Sequence, residues 1–181
     1  MADAKPPLDP SPWVARFAPL IPAAGSVLDL ACGGGRHSRL LAAQGLAVEA
    51  VDRDAEALAA LAEVGGIQTR CADLEGGPWP YHGRAFAGIV VTNFLWRPLL
   101  PSIVAALDQG GVLIYETFMV GNEVFGKPEN PAYLLRTSEL LDVVRGKLTV
   151  IAFEQGEING TRRAVVQRIC AQRGGSLRLS G

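Results

Sequence analysis

Residues 27–41, VLDLACGGGRHSRLL, constrain the chain more than any other stretch. An apolar run (Val27, Leu28, Leu30) passes directly into three glycines (33–35), then into the helical spacing of Ser38, Leu40 and Leu41. A strand, a glycine turn and a helix start in immediate succession form a cradle for a nucleotide. The glycines let the backbone approach a ligand, and the first N–H groups of the helix face it. Two more acids follow apolar runs. Asp52 ends AVEAVD, where a carboxylate can accept hydrogen bonds from a ribose diol, and Asp73 comes just after IQTRC.

The rest of the chain alternates in the same way. Strand patterns fall at 26–31, 47–51, 67–71, 86–92 and 112–117, with helical patterns at 36–44, 54–64, 99–107 and 137–145. Trp13, Val14, Phe17 and Leu20 predict a short helix starting near Ser11. Asp54 and Thr137 are the expected helix caps, and Gly45 a helix stop. Residues 148–154 and 163–170 predict an antiparallel pair around a turn at 156–160. The expected organisation is a flexible arm at 1–12, one domain at 13–171 and a disordered tail at 172–181. The fold class is α/β, a doubly wound, mostly parallel sheet with an antiparallel C-terminal hairpin. In such sheets ligands bind at the carboxyl ends of the strands, which here carry residues 32–35, Asp52, Asp73, residues 93–96 and Thr117.

Composition narrows the partners. The 17 basic and 18 acidic residues nearly cancel, which argues against nucleic acid or an anionic membrane as a broad electrostatic partner. Cys32, Cys71 and Cys170 are odd in number and form no C-x-x-C pair, so neither a disulfide framework nor a zinc site is expected, and a reducing cytoplasm fits. No apolar run is long enough to span a bilayer.

The run LDLACGGG resembles the first motif of class I S-adenosylmethionine-dependent methyltransferases, an acid followed closely by G-x-G. The resemblance extends over 27–117, with Asp52, Asp73 and Asn93 at the later motif positions; the region beyond is similar to small tellurite-resistance-type members. It implies a seven-stranded fold and S-adenosylmethionine as cofactor. It also implies a site built from Asp29, Ala31, Cys32, Gly33, Gly35, Asp52, Arg53, Asp73, Leu74 and Asn93. Asp29 would hold the methionine amino group, and Gly33 and Gly35 would let the backbone lie against the methionine. Asp52 would take both ribose hydroxyls with Arg53 beside the adenine. Asp73 and the Leu74 N–H would read the adenine, and Asn93 would floor the sulfonium. Charge balance and the lack of an appended domain favour a small-molecule methyl acceptor.

Two other readings use the same residues. A dinucleotide would also meet Asp52, but its fingerprint wants a third glycine where Ser38 stands, and Asp29 would face a pyrophosphate. A binding protein without catalysis would keep every motif. Around the site, Arg36 and His37 either contact ligand or cap the helix start. Trp13 and Phe17 either pack in the core or close over the site, while Cys32 reads as a packing residue and His82 as exposed. Trp96 either shapes the acceptor pocket or anchors its loop. Glu116 either faces the acceptor or pairs with Arg97, and Arg162 and Arg163 lie at the terminal turn. Residues 118–136, aperiodic yet carrying Phe118, Met119, Val120 and Phe125, are expected to form a lid on the acceptor side.

Overall fold

Five apolar runs become five parallel strands in the computed structural model, which describes residues 9–159 and 163–174. They are β1 (Ser26–Leu30), β2 (Ala47–Asp52), β3 (Ile67–Cys71), β4 (Phe86–Thr92) and β5 (Leu107–Phe118). With β6 (Thr149–Asn159) and β7 (Arg163–Gln172) they make one sheet in the order β3-β2-β1-β4-β5-β7-β6. Only β7 runs against the others, pairing antiparallel with both β5 and β6. The expected seven-stranded, mostly parallel sheet is therefore present. Chain order reverses between β1 and β4, so a crevice opens at their carboxyl ends.

Side chains alternate across each strand, so each central strand feeds two cores. On one face α1 (Pro12–Phe17), α2 (Arg36–Ala43) and α3 (Ala55–Ala59) bury Trp13, Phe17, Leu41 and Leu58 against Val27, Val48, Val90 and Ile114. On the other, α4 (Leu100–Ala105) and α5 (Glu139–Val144) bury Ile103, Leu140 and Val144 with Leu28, Leu30, Val91 and Tyr115. Gly88 in β4 admits the segment after α1: a Cβ there would lie 2.8 Å from the Ile21 side chain.

Several boundaries differ from the sequence reading. Ser11 and Pro12 do not belong to a loose arm: Ser11 is buried as the N-cap of α1, and Pro12 begins the helix. Residues 1–8 lie outside the described residues, as do 175–181 of the expected tail. Gln172 is paired in β7 and Arg173 donates its N–H to Gly111 O, so the ordered chain continues past 171. The helix at 54–64 ends at Ala59, because Leu61 and Val64 turn back to bond carbonyls three residues earlier. No turn forms at 156–159, where β6 stays in register with β7; the rest of that turn, Gly160, lies outside the described residues. Thr137 does not cap α5. Its N-cap is Ser138, at a left-handed φ of 59°, and distant side chains take the free N–H groups instead: Ser138 N–H donates to Gln155 and Leu140 N–H to Gln167. No helix among the described residues is long and apolar enough to cross a membrane.

Candidate functional site

The carboxyl ends of β1 to β4 enclose a cleft of about 300 Å³ lined by Ala31, Asp52, Arg53, Ala72, Asp73, Leu74, Glu75, Asn93 and Phe94. Six residues marked in the sequence thus meet in one place. Ala31 and Asn93, immediately after β1 and β4, both adopt left-handed backbone, with φ of 54° and 53°. Such strain in non-glycine residues collects at ligand sites, where surrounding structure enforces it.

Asp52 organises the cleft. Its Oδ2 accepts the Gly33 N–H at 2.7 Å, and its Oδ1 accepts the Asp54 N–H at 3.0 Å. A carboxylate offers roughly four acceptor positions, so about two remain for a vicinal diol. One side chain therefore fixes the glycine loop and presents lone pairs to the cleft. Asp73 accepts the Glu75 N–H, and the Glu75 and Gly76 N–H groups hold its carboxyl below the usual value. It stays ionised as an acceptor.

The other four predicted residues are not among those lining the cleft. Gly33 and Gly35 form the turn between β1 and α2, with Gly35 at φ 73° as the helix cap. Cys32 packs into the core with α1 to α3, and burial raises its thiol well above the usual range, so it is not a nucleophile. Asp29 is buried in β1 and accepts the Ser38 hydroxyl at 2.5 Å. Ser38, the departure from the dinucleotide fingerprint, is thus the partner of the strand's acid.

Burial raises the Asp29 carboxyl from 3.8 to about 6, partly countered by its hydrogen bonds from Ser38. An unfolded aspartate titrates near 3.8, so this group's stabilising effect is complete below that pH and is lost as pH rises through about 6. Ionised Asp29 then costs the empty fold about 3 kcal/mol. Asp29→Asn should raise the melting temperature of the ligand-free protein at pH 8 and flatten its dependence between pH 5 and 8. Calorimetry across that range checks it, and an unchanged or lower melting temperature at pH 8 contradicts it.

Sequence reasoning missed a polar network beside the glycine loop. His37, in the first turn of α2, is buried. Its Nε2 accepts the Ser11 N–H at 3.1 Å, so its proton sits on Nδ1, 3.3 Å from Thr92 Oγ1. Burial, reinforced by Arg36, pushes its pKa down to about 4 and keeps it neutral. Ser11 Oγ donates to Glu116 Oε1 at 2.7 Å, and Arg168 donates to Glu116 Oε2 at 3.2 Å. Glu116 therefore pairs with Arg168 and not with Arg97. Arg36 donates to Asp9 O. No local pattern signals these contacts, since the partners lie on α1, α2, β4, β5 and β7.

Arg97 has a different partner. Its Nε and Nη2 fork onto Glu139 at 2.7 and 2.9 Å, while Nη1 and Nη2 donate to Ala132 O and Leu134 O. It ties the exit of β4 to the end of the 118–136 connection. The start of that connection is held by Asn122, whose buried side chain accepts the Val165 N–H at 3.1 Å. Between these anchors Val124 and Phe125 are exposed, Phe125 beneath the Arg163 guanidinium. Trp96 is half-buried against the core, and His82 is exposed.

The sheet order, the glycine turn and the acid-lined cleft define a Rossmann-like cofactor-binding domain. Residues 27–111 match a family model described as a methyltransferase domain. The motifs that resemble class I S-adenosylmethionine-dependent methyltransferases, Asp29 to Gly35, Asp52, Asp73 and Asn93, all lie within that match. Its fold is similar to that of TehB from Haemophilus influenzae, at 23% identity and a TM-score of 0.70, covering 88% of this chain and 61% of that one. The chain thus spans about three-fifths of the length of TehB. A methyltransferase from Methanosarcina mazei shares the fold at 17% identity and a TM-score of 0.69, covering 92% of this chain and 99% of that one. So does the glycopeptide N-methyltransferase MtfA, in complex with S-adenosylhomocysteine, at 20% identity and a TM-score of 0.62, covering 96% and 94%. No curated protein matches the chain in sequence.

Proposed function

We propose that this protein transfers a methyl group from S-adenosylmethionine to a small-molecule acceptor. The observation that carries the reading is the convergence of Ala31, Asp52, Arg53, Asp73, Leu74 and Asn93 on one cleft, in a chain whose residues 27–111 match the methyltransferase domain. The cofactor supplies a methyl group already activated on a cationic sulfur. Asp52 takes the ribose hydroxyls with its remaining lone pairs. Asp73 and the Leu74 N–H face the adenine, with Arg53 alongside. Ionised Asp29 and the Gly33 and Gly35 backbone receive the methionine end, and Asn93 and Phe94 form the floor. The protein's own contribution is approach geometry and exclusion of water. His37 and Glu116 are both committed to hydrogen bonds, so neither is a free general base. The small-molecule assignment rests on the near-neutral charge and the modest cleft. The described cysteines are all free thiols, which supports a reducing cytoplasm as the location.

Titration calorimetry with S-adenosylmethionine, S-adenosylhomocysteine and NAD tests the cofactor. Binding of the first two with no comparable response to NAD is the expected result, and the reverse pattern refutes the reading. Turnover on an acceptor panel separates the enzyme from a silent binding protein.

Residues 118–136 are proposed as the acceptor-side wall, ordered further when the site fills. Amides between the Asn122 and Arg97 anchors should gain hydrogen-exchange protection with ligands bound. Arg97→Ala should deprotect 131–136 by about tenfold while cofactor affinity stays within about threefold. Full protection of the wild-type segment before any ligand is added rules out the closing motion.

A further inference from the structure

We propose that His37 and Ser11 are positioning residues that clasp the N-terminal segment over the methionine end of the cofactor cleft, so that the clasp sets how fast cofactor leaves. The inference rests on the methyltransferase reading and adds a function for residues outside its motifs.

Three contacts hold residues 9–11, on partners that neighbour the residues of the cleft in sequence or by one hydrogen bond. Arg36 donates to Asp9 O, the Ser11 N–H donates to His37, and the Ser11 hydroxyl donates to Glu116. Arg36 and His37 directly follow the glycine turn. Thr92, the second partner of His37, directly precedes Asn93. Glu116 also touches that point, since its backbone carbonyl accepts the Asn93 N–H at 3.0 Å. The segment is therefore linked through His37 and Glu116 to Thr92 and Asn93, at the carboxyl end of β4.

The chemistry of the clasp differs from that of ordinary core packing. An apolar side chain at 37 would fill the same volume without two directed bonds. The imidazole is instead pinned in one tautomer between a backbone donor and a hydroxyl. Neutral imidazole is the form that can accept the Ser11 N–H. Each bond is short-range and directional, whereas α1 is held separately by Trp13, Val14 and Phe17, which are buried in the core.

Stopped-flow release of S-adenosylhomocysteine, followed by tryptophan fluorescence, reads the clasp. His37→Phe keeps the ring shape and removes both bonds. Ser11→Pro suits the backbone φ of −58° at that position and removes the N–H that His37 accepts, together with the hydroxyl that donates to Glu116 and caps the Trp13 N–H. Each should speed release by roughly tenfold, the size expected for loss of at least one buried hydrogen bond. Because the two changes share the Ser11 N–H to His37 bond, the double variant should speed release by less than the product of the two single effects. His37→Gln, which carries both an acceptor and a donor, should restore most of the wild-type rate. Lowered melting temperatures with unchanged release rates would make the contacts merely structural and overturn the proposal, as would fully additive effects in the double variant. If His37→Phe does not fold, Ser11→Pro and His37→Gln decide alone. A wild-type protein that binds no S-adenosylhomocysteine refutes the methyltransferase reading itself, a result distinct from failure of the clasp.

Discussion

Asp52→Ala is expected to weaken S-adenosylmethionine binding by about tenfold to several hundredfold. The loss is that of charge-assisted bonds to a diol, each worth roughly 1.5 to 3 kcal/mol. Titration calorimetry measures it directly. The same carboxylate also holds the Gly33 and Asp54 N–H groups. Asp52→Ala should therefore also cost the ligand-free protein about 1 to 3 kcal/mol, or several degrees of melting temperature at this chain length. Asp52→Asn retains one acceptor and should fall between. Unchanged cofactor affinity in Asp52→Ala would remove this residue from the site.

The second large effect is expected from Gly35→Ala. The backbone there has φ 73°, which costs an alanine about 1 to 2 kcal/mol. The added Cβ would also sit 2.3 Å from a methyl of Leu61, a fully buried side chain. Overpacking of that kind costs roughly a further 1 to 3 kcal/mol. The sum is about 2 to 5 kcal/mol, read as a melting temperature lower by about 5 to 20 °C. Leu61→Ala in the same chain opens space beside the new methyl, so the pair should destabilise by less than the sum of the two changes. Wild-type stability in Gly35→Ala would show that the turn adopts another conformation.

The sheet was legible because burial on both faces leaves its mark along the chain. β4 is a continuous apolar run up to Thr92, and β1 reads the same except for Ser26 and Asp29. The cleft was legible for a related reason: in a parallel sheet, residues just past each strand must converge, so Asp52, Asp73 and Asn93 could be placed without contacts. What stayed hidden depends on pairs distant in sequence. Nothing near Glu116 marks Arg168 or Ser11 as its partners, and nothing near Glu139 marks Arg97. The capping of α5 was misplaced for the same reason, since Gln155 and Gln167 come from β6 and β7. Phe94 and Glu75 line the cleft only because the loops after β4 and β3 fold back toward it.

The position of β7 between β5 and β6 has a consequence for how the chain is made. Strands β1 to β4 and the glycine turn are contiguous, so a nascent chain can assemble the cofactor half from segments already synthesised. The outer edge of β5 pairs with β7, which emerges after every other described strand. Until then β5 offers open backbone donors and acceptors to any neighbouring strand. The β5–β7–β6 side of the sheet is thus completed after the cofactor cleft, and the interval before β7 docks is when newly made chains are most exposed to mispairing with one another.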